Sequence, residues 1–324
     1  AFGYGYPFFV SREPTPLYLP LGPHLLGMPL PAASTLFYAL TILACGYFMF
    51  LWVRDLFGTR PALLAAFAYM AAPYVLVDAF IRGNSPESLA LPLFPFLLWA
   101  GRRWLLDGGL RPFLIATLGL AFFSLSHNIS LLIFTPTLLV YLLVIGWVRG
   151  LAWSPLLGRL VLLFGIGLGM TSFYSGGAVL ELDSVTLEQS TVTRNNDFRF
   201  NFTDAGEILG PVQPSDPLLL NAPLPYRLGW VPFGLALIGV LRALLSWGKQ
   251  YSVSGIQYSE STEQRIPNTE YHSLLREQRA HLLLMIAGTA VFLHQSLPLT
   301  QPQSENDQLV SNNKFPCRMV SRAA

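Results

Sequence analysis

The sequence predicts an all-α fold: one polytopic bundle of about eight transmembrane helices. Three observations carry this. First, 52% of the 324 residues are AVILMFWYC and only 12% are Asp, Glu, Lys or Arg. An ordinary soluble domain carries roughly 25% charged residues, and the mean hydropathy here is positive. Second, apolar stretches of near-spanning length recur along the chain. Third, basic residues alternate from one side of those stretches to the other. The same composition excludes a disordered chain, a coiled coil and a charged nucleic-acid-binding tail. The expected partner is the lipid bilayer, with no nucleic acid.

A span needs about 20 apolar residues, because roughly 30 Å is crossed at 1.5 Å per residue. Residues 14–28 are apolar but interrupted by Pro16, Pro20 and Pro23. They read as a re-entrant or interfacial segment, since irregular backbone at membrane depth must be buried in protein. The first span, 32–53, holds Cys45, read as a small packed side chain. The second, 61–80, ends at a charged stretch. The third, 88–100, is short and starts either at the membrane surface or inside a polar cavity. Spans 110–126 and 129–148 are joined by the short turn SLSHNIS. Span 156–180 contains Gly165, Gly167 and Gly169, read as small residues that let helices approach closely. Spans 228–247 and 280–298 complete the set.

The connections after the first, third, fifth and seventh spans, with their flanks, hold twelve basic residues, among them Arg54, Arg102, Arg103, Arg149 and Arg159. By the positive-inside rule that side is cytoplasmic. Six of the seven tryptophans lie near it, as expected of interfacial anchors. Residues 181–227 then form an acidic extracytoplasmic loop, and 299–324 an extracytoplasmic tail. Residues 249–279 are polar, Ser/Gln-rich and without a clear helical period, and read as a flexible cytoplasmic linker beginning near residue 248. The expected location is a bacterial cytoplasmic membrane.

Three constellations carry candidate chemistry, all on the outer face. The first is DAFIRGNSPE at 78–87. Ionisable groups at this depth are expensive and usually face a cavity. Arg82 and Glu87 either pair with each other or form an active-site mouth. In the second case Arg82 holds a phosphate, and Asp78 or Glu87 takes a proton or binds a metal. The second is the turn holding His127 and Asn128, which either caps two helix ends or touches substrate. The third is NNKFPCR at 312–318, where Arg318 either meets an anionic ligand or belongs to a solvated tail. No phosphate loop, zinc spacing or nucleophile elbow is present in the sequence.

Several stretches resemble one family. FGYGYPF at 2–8 is similar to FGYGYPLF of bacterial integral membrane proteins called "6-pyruvoyl-tetrahydropterin synthase-related". YVLVDAFIRGNSPESLALP at 74–92 resembles their YRLVDVYVRGALAESLALALLP. Leu125-Ser-His-Asn128 resembles their SHN turn, and KFPCR at 314–318 their QFPWR. That family is in turn similar to the GT-C membrane glycosyltransferases. The resemblance implies transfer of a sugar from a polyprenyl-phosphate donor to an acceptor on the outer face. It implies catalytic roles for Glu87 and Asp78, phosphate binding by Arg82 and Arg318, and substrate contact by His127 and Asn128. A divalent metal, Mg or Mn, would assist. A non-catalytic protein that binds or transports a lipid-linked sugar is the alternative. The resemblance also implies a piece of a longer protein, lacking the family's first span and its C-terminal spans.

Overall fold

A computed structural model describes residues 13–180, 208, 230–245 and 268–296. Among the described residues the secondary structure is helical, with no strand. The helices are α1 Thr15–Leu25, α2 Leu30–Phe57, α3 Thr59–Met70, α4 Pro73–Val77 and, after a π-helical turn Asp78–Arg82, α5 Ser85–Asp107. They continue as α6 Leu110–Ser124, α7 Asn128–Val148, α8 Trp153–Gly169, α9 Ser172–Leu180, α10 Trp230–Leu245 and α11 Asn268–Ser296.

The chain divides into two compact units. The first contains α1–α3, α5–α9 and α11 through His281; the second contains α4, the π turn through Ile81, α10 and α11 from Leu282. In the first unit α5 is the central element. It packs on α2, α6 and α7, and its buried residues run from Glu87 to Leu105. Pro92 and Pro95 lie inside it. A proline removes one helical hydrogen bond, a loss that neighbouring helices can offset in an apolar setting. The turn into α6 is Gly108-Gly109, both at positive φ (66° and 80°), a conformation that a side chain would strain.

Close approach sets the helix pairing. A Cβ on Gly119 of α6 would stand 2.2 Å from the Phe96 ring of α5. A Cβ on Gly146 of α7 would stand 2.6 Å from Leu156 of α8, and one on Gly167 of α8 would stand 2.9 Å from Leu120 of α6. Of the Gly165, Gly167 and Gly169 stripe, only Gly167 makes such a contact; a Cβ on the other two meets nothing within 4 Å.

Two helices, α2 and α7, are long and apolar enough to cross a membrane. A third span arises if α3 and the segment Pro73–Arg82 count as one broken span. In both α2 and α7 only 33% of the apolar window is buried. Leu40, Leu43 and Tyr47 on α2, and Leu132 and Val140 on α7, are exposed. An apolar surface of that kind wants lipid or a partner.

The elements differ from expectation at four places. The Pro-rich segment forms a helix, α1, with Pro16 in the first turn, where its missing N–H costs nothing, and with Pro20 and Pro23 inside it. Helix α1 ends with the N–H groups of Leu26 and Met28 on the Pro23 carbonyl. The second apolar stretch is broken between Met70 and Pro73, and the sixth between Gly169 and Ser172. Residues 268–279, read as part of a flexible linker, begin a 29-residue helix. The loop 181–227 (Ile208 apart), the tail 299–324 and Arg318 lie outside the described residues.

Candidate functional site

The sequence signature Asn84-Ser85-Pro86-Glu87 opens α5. An Asn cap with Glu three residues on normally exchanges side-chain bonds with the backbone. Here the side chains pair with each other instead. Asn84 Nδ2 and Arg82 Nη1 each donate to Glu87 Oε2 at 2.9 Å. Arg82 reaches back because the intervening Gly83 turns the chain at φ 59°. The Glu87 side chain is 1% exposed and that of Arg82 12%. A carboxylate so deeply buried needs such donors, because an isolated charge would cost several kcal/mol. Of the two readings of Arg82 and Glu87, the structure therefore shows the pair.

The first unit also holds an open apolar cavity of about 650 Å³, lined by α1, α2, α5 and α6. Phe37 and Leu40 of α2, Leu89 and Leu93 of α5, and Leu118 and Phe122 of α6 form much of its wall. Leu89 follows Glu87 by two residues, about 200° around the helix, and neither Glu87 nor Arg82 lines the cavity. Thr41 is the polar lining residue, and its hydroxyl already donates to the Tyr38 carbonyl at 2.8 Å.

His127 and Asn128 belong to the same end of the first unit, since α6 returns antiparallel to α5 after a two-residue turn. His127 is 5% exposed and shares a 2.6 Å hydrogen bond between Nδ1 and Ser130 Oγ. The Asn128 backbone N–H donates to Glu13 at 3.1 Å, and its side chain donates to Tyr174 Oη at 3.1 Å. These bonds tie the start of α7 to α9 and to the segment before α1. Neither His127 nor Asn128 caps a helix with its side chain; the cap on the Asn128 N–H is Glu13, a residue the sequence did not single out. Asp78 is fully buried in the π turn. It lies in the second unit and Glu87 in the first.

The opposite end of the first unit holds a larger polar cluster. Arg102 of α5 grips Glu277 of α11 with two bonds, Nε to Oε1 at 2.5 Å and Nη2 to Oε2 at 3.0 Å. Arg149 Nε stands 3.7 Å from the same carboxylate, and its Nη1 donates to Ser273 at 2.9 Å. Burial opposes the charge on Arg102, but the bonds and charge of Glu277 outweigh it and hold the guanidinium above its ordinary pKa. Trp52 Nε1–H donates to Tyr141 Oη at 3.2 Å, and Tyr141 Oη is 2.8 Å from His281 Nε2. His281 Nδ1 donates to the Glu277 carbonyl at 2.8 Å, which leaves Nε2 to accept from Tyr141 in the neutral ring. Beside this, Asp55 of α2 accepts from Trp99 at 2.8 Å and from Arg103 at 2.7 Å. The sequence counted these arginines as orientation signals. Their carboxylate partners lie 48 and 175 residues away, so no local spacing announces them.

Among the described residues no three His, Cys, Asp or Glu side chains are grouped to hold a metal ion. Glu87 Oε2 already takes an arginine and an amide, a donor set unlike that of a hard-cation site. No step below therefore runs through a metal. No protein-family model, characterised protein or solved structure matches the chain.

Proposed function

We propose that the protein is a GT-C-like membrane glycosyltransferase that uses a polyprenyl-phosphate-linked sugar on the outer face of a bacterial cytoplasmic membrane. What supports the reading is a buried arginine, paired with a carboxylate, in the same unit as an apolar cavity. An isoprenoid chain suits the cavity, and its phosphate suits a guanidinium with five N–H donors. In this reading the remaining spans of an eight-helix bundle are supplied by the shorter apolar helices α6 and α8, by α9–α11 and by α3–α5. Arg82 binds the donor phosphate, and Glu87 and Asn84 hold Arg82 in place. The acceptor hydroxyl attacks the anomeric carbon and gives its proton to Glu87. The bond from that carbon to the phosphate oxygen breaks, and Arg82 stabilises the charge left on the phosphate. His127 and Asn128 contribute to the acceptor side, and Arg318 meets the phosphate.

One observation favours a second reading, in which the protein binds or moves a lipid-linked sugar without turnover. The Glu87 carboxylate is buried and committed to Arg82, and taking up a proton would strand that arginine.

The protein reconstituted in vesicles with radiolabelled polyprenyl-phosphate sugars tests both. Transfer that falls at least 100-fold in Arg82→Ala and Glu87→Gln supports the enzyme. Transfer surviving both substitutions removes the site assignment. Saturable binding that Arg82→Ala weakens, with no transfer by the parent chain, supports the carrier.

A further inference from the structure

The first half of α11 is more polar than a spanning helix tolerates, yet it carries a deeply buried charge cluster of the first unit. Glu277 is 1% exposed and His281 2%. Three other helices supply their partners. Helix α2 gives the Leu56 carbonyl, which accepts from Gln278 at 2.6 Å, and Trp52, whose ring lies 6.2 Å from that of His281. Helix α5 gives Arg102, and α7 gives Tyr141 and Arg149. These bonds link α11 to the ends of α2, α5 and α7 at once, and α2 and α5 also wall the apolar cavity.

We propose that residues 268–281 form a latch that docks across this end of the first unit, held by the Glu277 carboxylate as counter-ion to Arg102 and Arg149. The chemistry makes the latch selective. Among the described side chains of the segment, Leu275 and Ala280 are the buried apolar ones, and the remaining contacts named above are polar. Docking therefore depends on neutralising two guanidinium groups that lie 9% and 21% exposed. Removing the carboxylate leaves Arg102 buried without its counter-charge, which strongly disfavours the docked state. Removing both charges of the Arg102–Glu277 pair strands neither, and Arg149 can turn to water. The inference is independent of what the cavity binds.

The test is maleimide labelling of the full chain in lipid nanodiscs, with Leu275→Cys as reporter and Cys317→Ser to clear the tail. Leu275 is 9% exposed, and native Cys45, at 1%, reports on the core. Glu277→Gln should raise labelling at position 275 at least tenfold while Cys45 stays protected. Arg102→Lys keeps the charge but loses the two-pronged grip, and should give a rise of a few-fold. Arg102→Met with Glu277→Met should return labelling close to the parent rate. Unchanged labelling in Glu277→Gln overturns the proposal. So does Cys45 becoming reactive together with position 275, because the segment would then be part of an indivisible core. A double Met variant as open as Glu277→Gln would also overturn it.

Discussion

At Glu87 one oxygen carries two jobs. Oε2 neutralises Arg82 and accepts from Asn84, and the residue still occupies the first turn of α5. Its negative charge also suits the positive end of a helix. Glu87→Gln should therefore lower stability by about 3–5 kcal/mol, as expected for breaking a buried pair from one side. Thermal unfolding in detergent would measure it, and Arg82→Met with Glu87→Met should recover much of the loss. Ser130 poses a smaller case. Ser130→Ala removes the 2.6 Å bond to the His127 ring inside a buried turn. That should cost about 1–3 kcal/mol, read from the same melting curve. A null result would show that the turn does not depend on this bond. Arg82 and Glu87 were legible as candidates because charges in an apolar sequence stand out. Their pairing was legible as one of two options, since five residues separate them across a glycine. Glu13 was not, because its partner lies 115 residues away.

Among the helices, glycine is informative only where a neighbour has closed in. Gly119 faces the Phe96 ring at 2.2 Å from its would-be Cβ, whereas a Cβ on Gly165 meets nothing within 4 Å. Gly119→Ala should destabilise by about 1–3 kcal/mol, because the Phe96 ring must shift from its present position to admit the methyl group. Gly165→Ala should be neutral or stabilise by up to about 1 kcal/mol through helix propensity. A paired unfolding measurement decides this, and equal effects would mean that the α5–α6 contact is looser than the geometry states. The sequence could not rank these glycines, because each lies in an apolar helix of similar composition. It also could not see α11 begin at Asn268. A polar segment with no apolar period gains its helix from tertiary partners, here the Arg102–Glu277 pair and the Gln278 contact to Leu56.

For the molecule as a whole, the apolar faces of α2 and α7 set the solvent. With only 33% of each apolar window buried, the remainder needs lipid or a partner. The chain should sediment with membranes and resist alkaline extraction, and recovery in the soluble fraction would contradict this. The basic residues add a direction. Ser154→Cys, at an exposed position beside exposed Trp153, should react with an impermeant maleimide only from the cytoplasmic side. Labelling from the outside would invert the orientation, and with it the proposed outer-face site. Two or three spans follow from helix length and composition. The eight counted in the sequence include stretches that the structure divides at Met70–Pro73 and Gly169–Ser172.

By itself the sequence determined the helical class and marked apolar runs long enough to cross a membrane. Both follow from summed composition and from the length of apolar runs, which need no knowledge of the partners a residue meets. It also marked Arg82, Glu87, His127 and Asn128 as polar groups that must be satisfied. Only the tertiary structure decided how. It committed Glu87 to Arg82 and bonded His127 to Ser130. It also turned three presumed topology signals, Arg102, Arg103 and Arg149, into partners of Glu277 and Asp55. The physical reason is that a buried charge is tolerated only beside its counter-charge. Folding brings these counter-charges from far along the chain, where periodicity and spacing carry no trace of them.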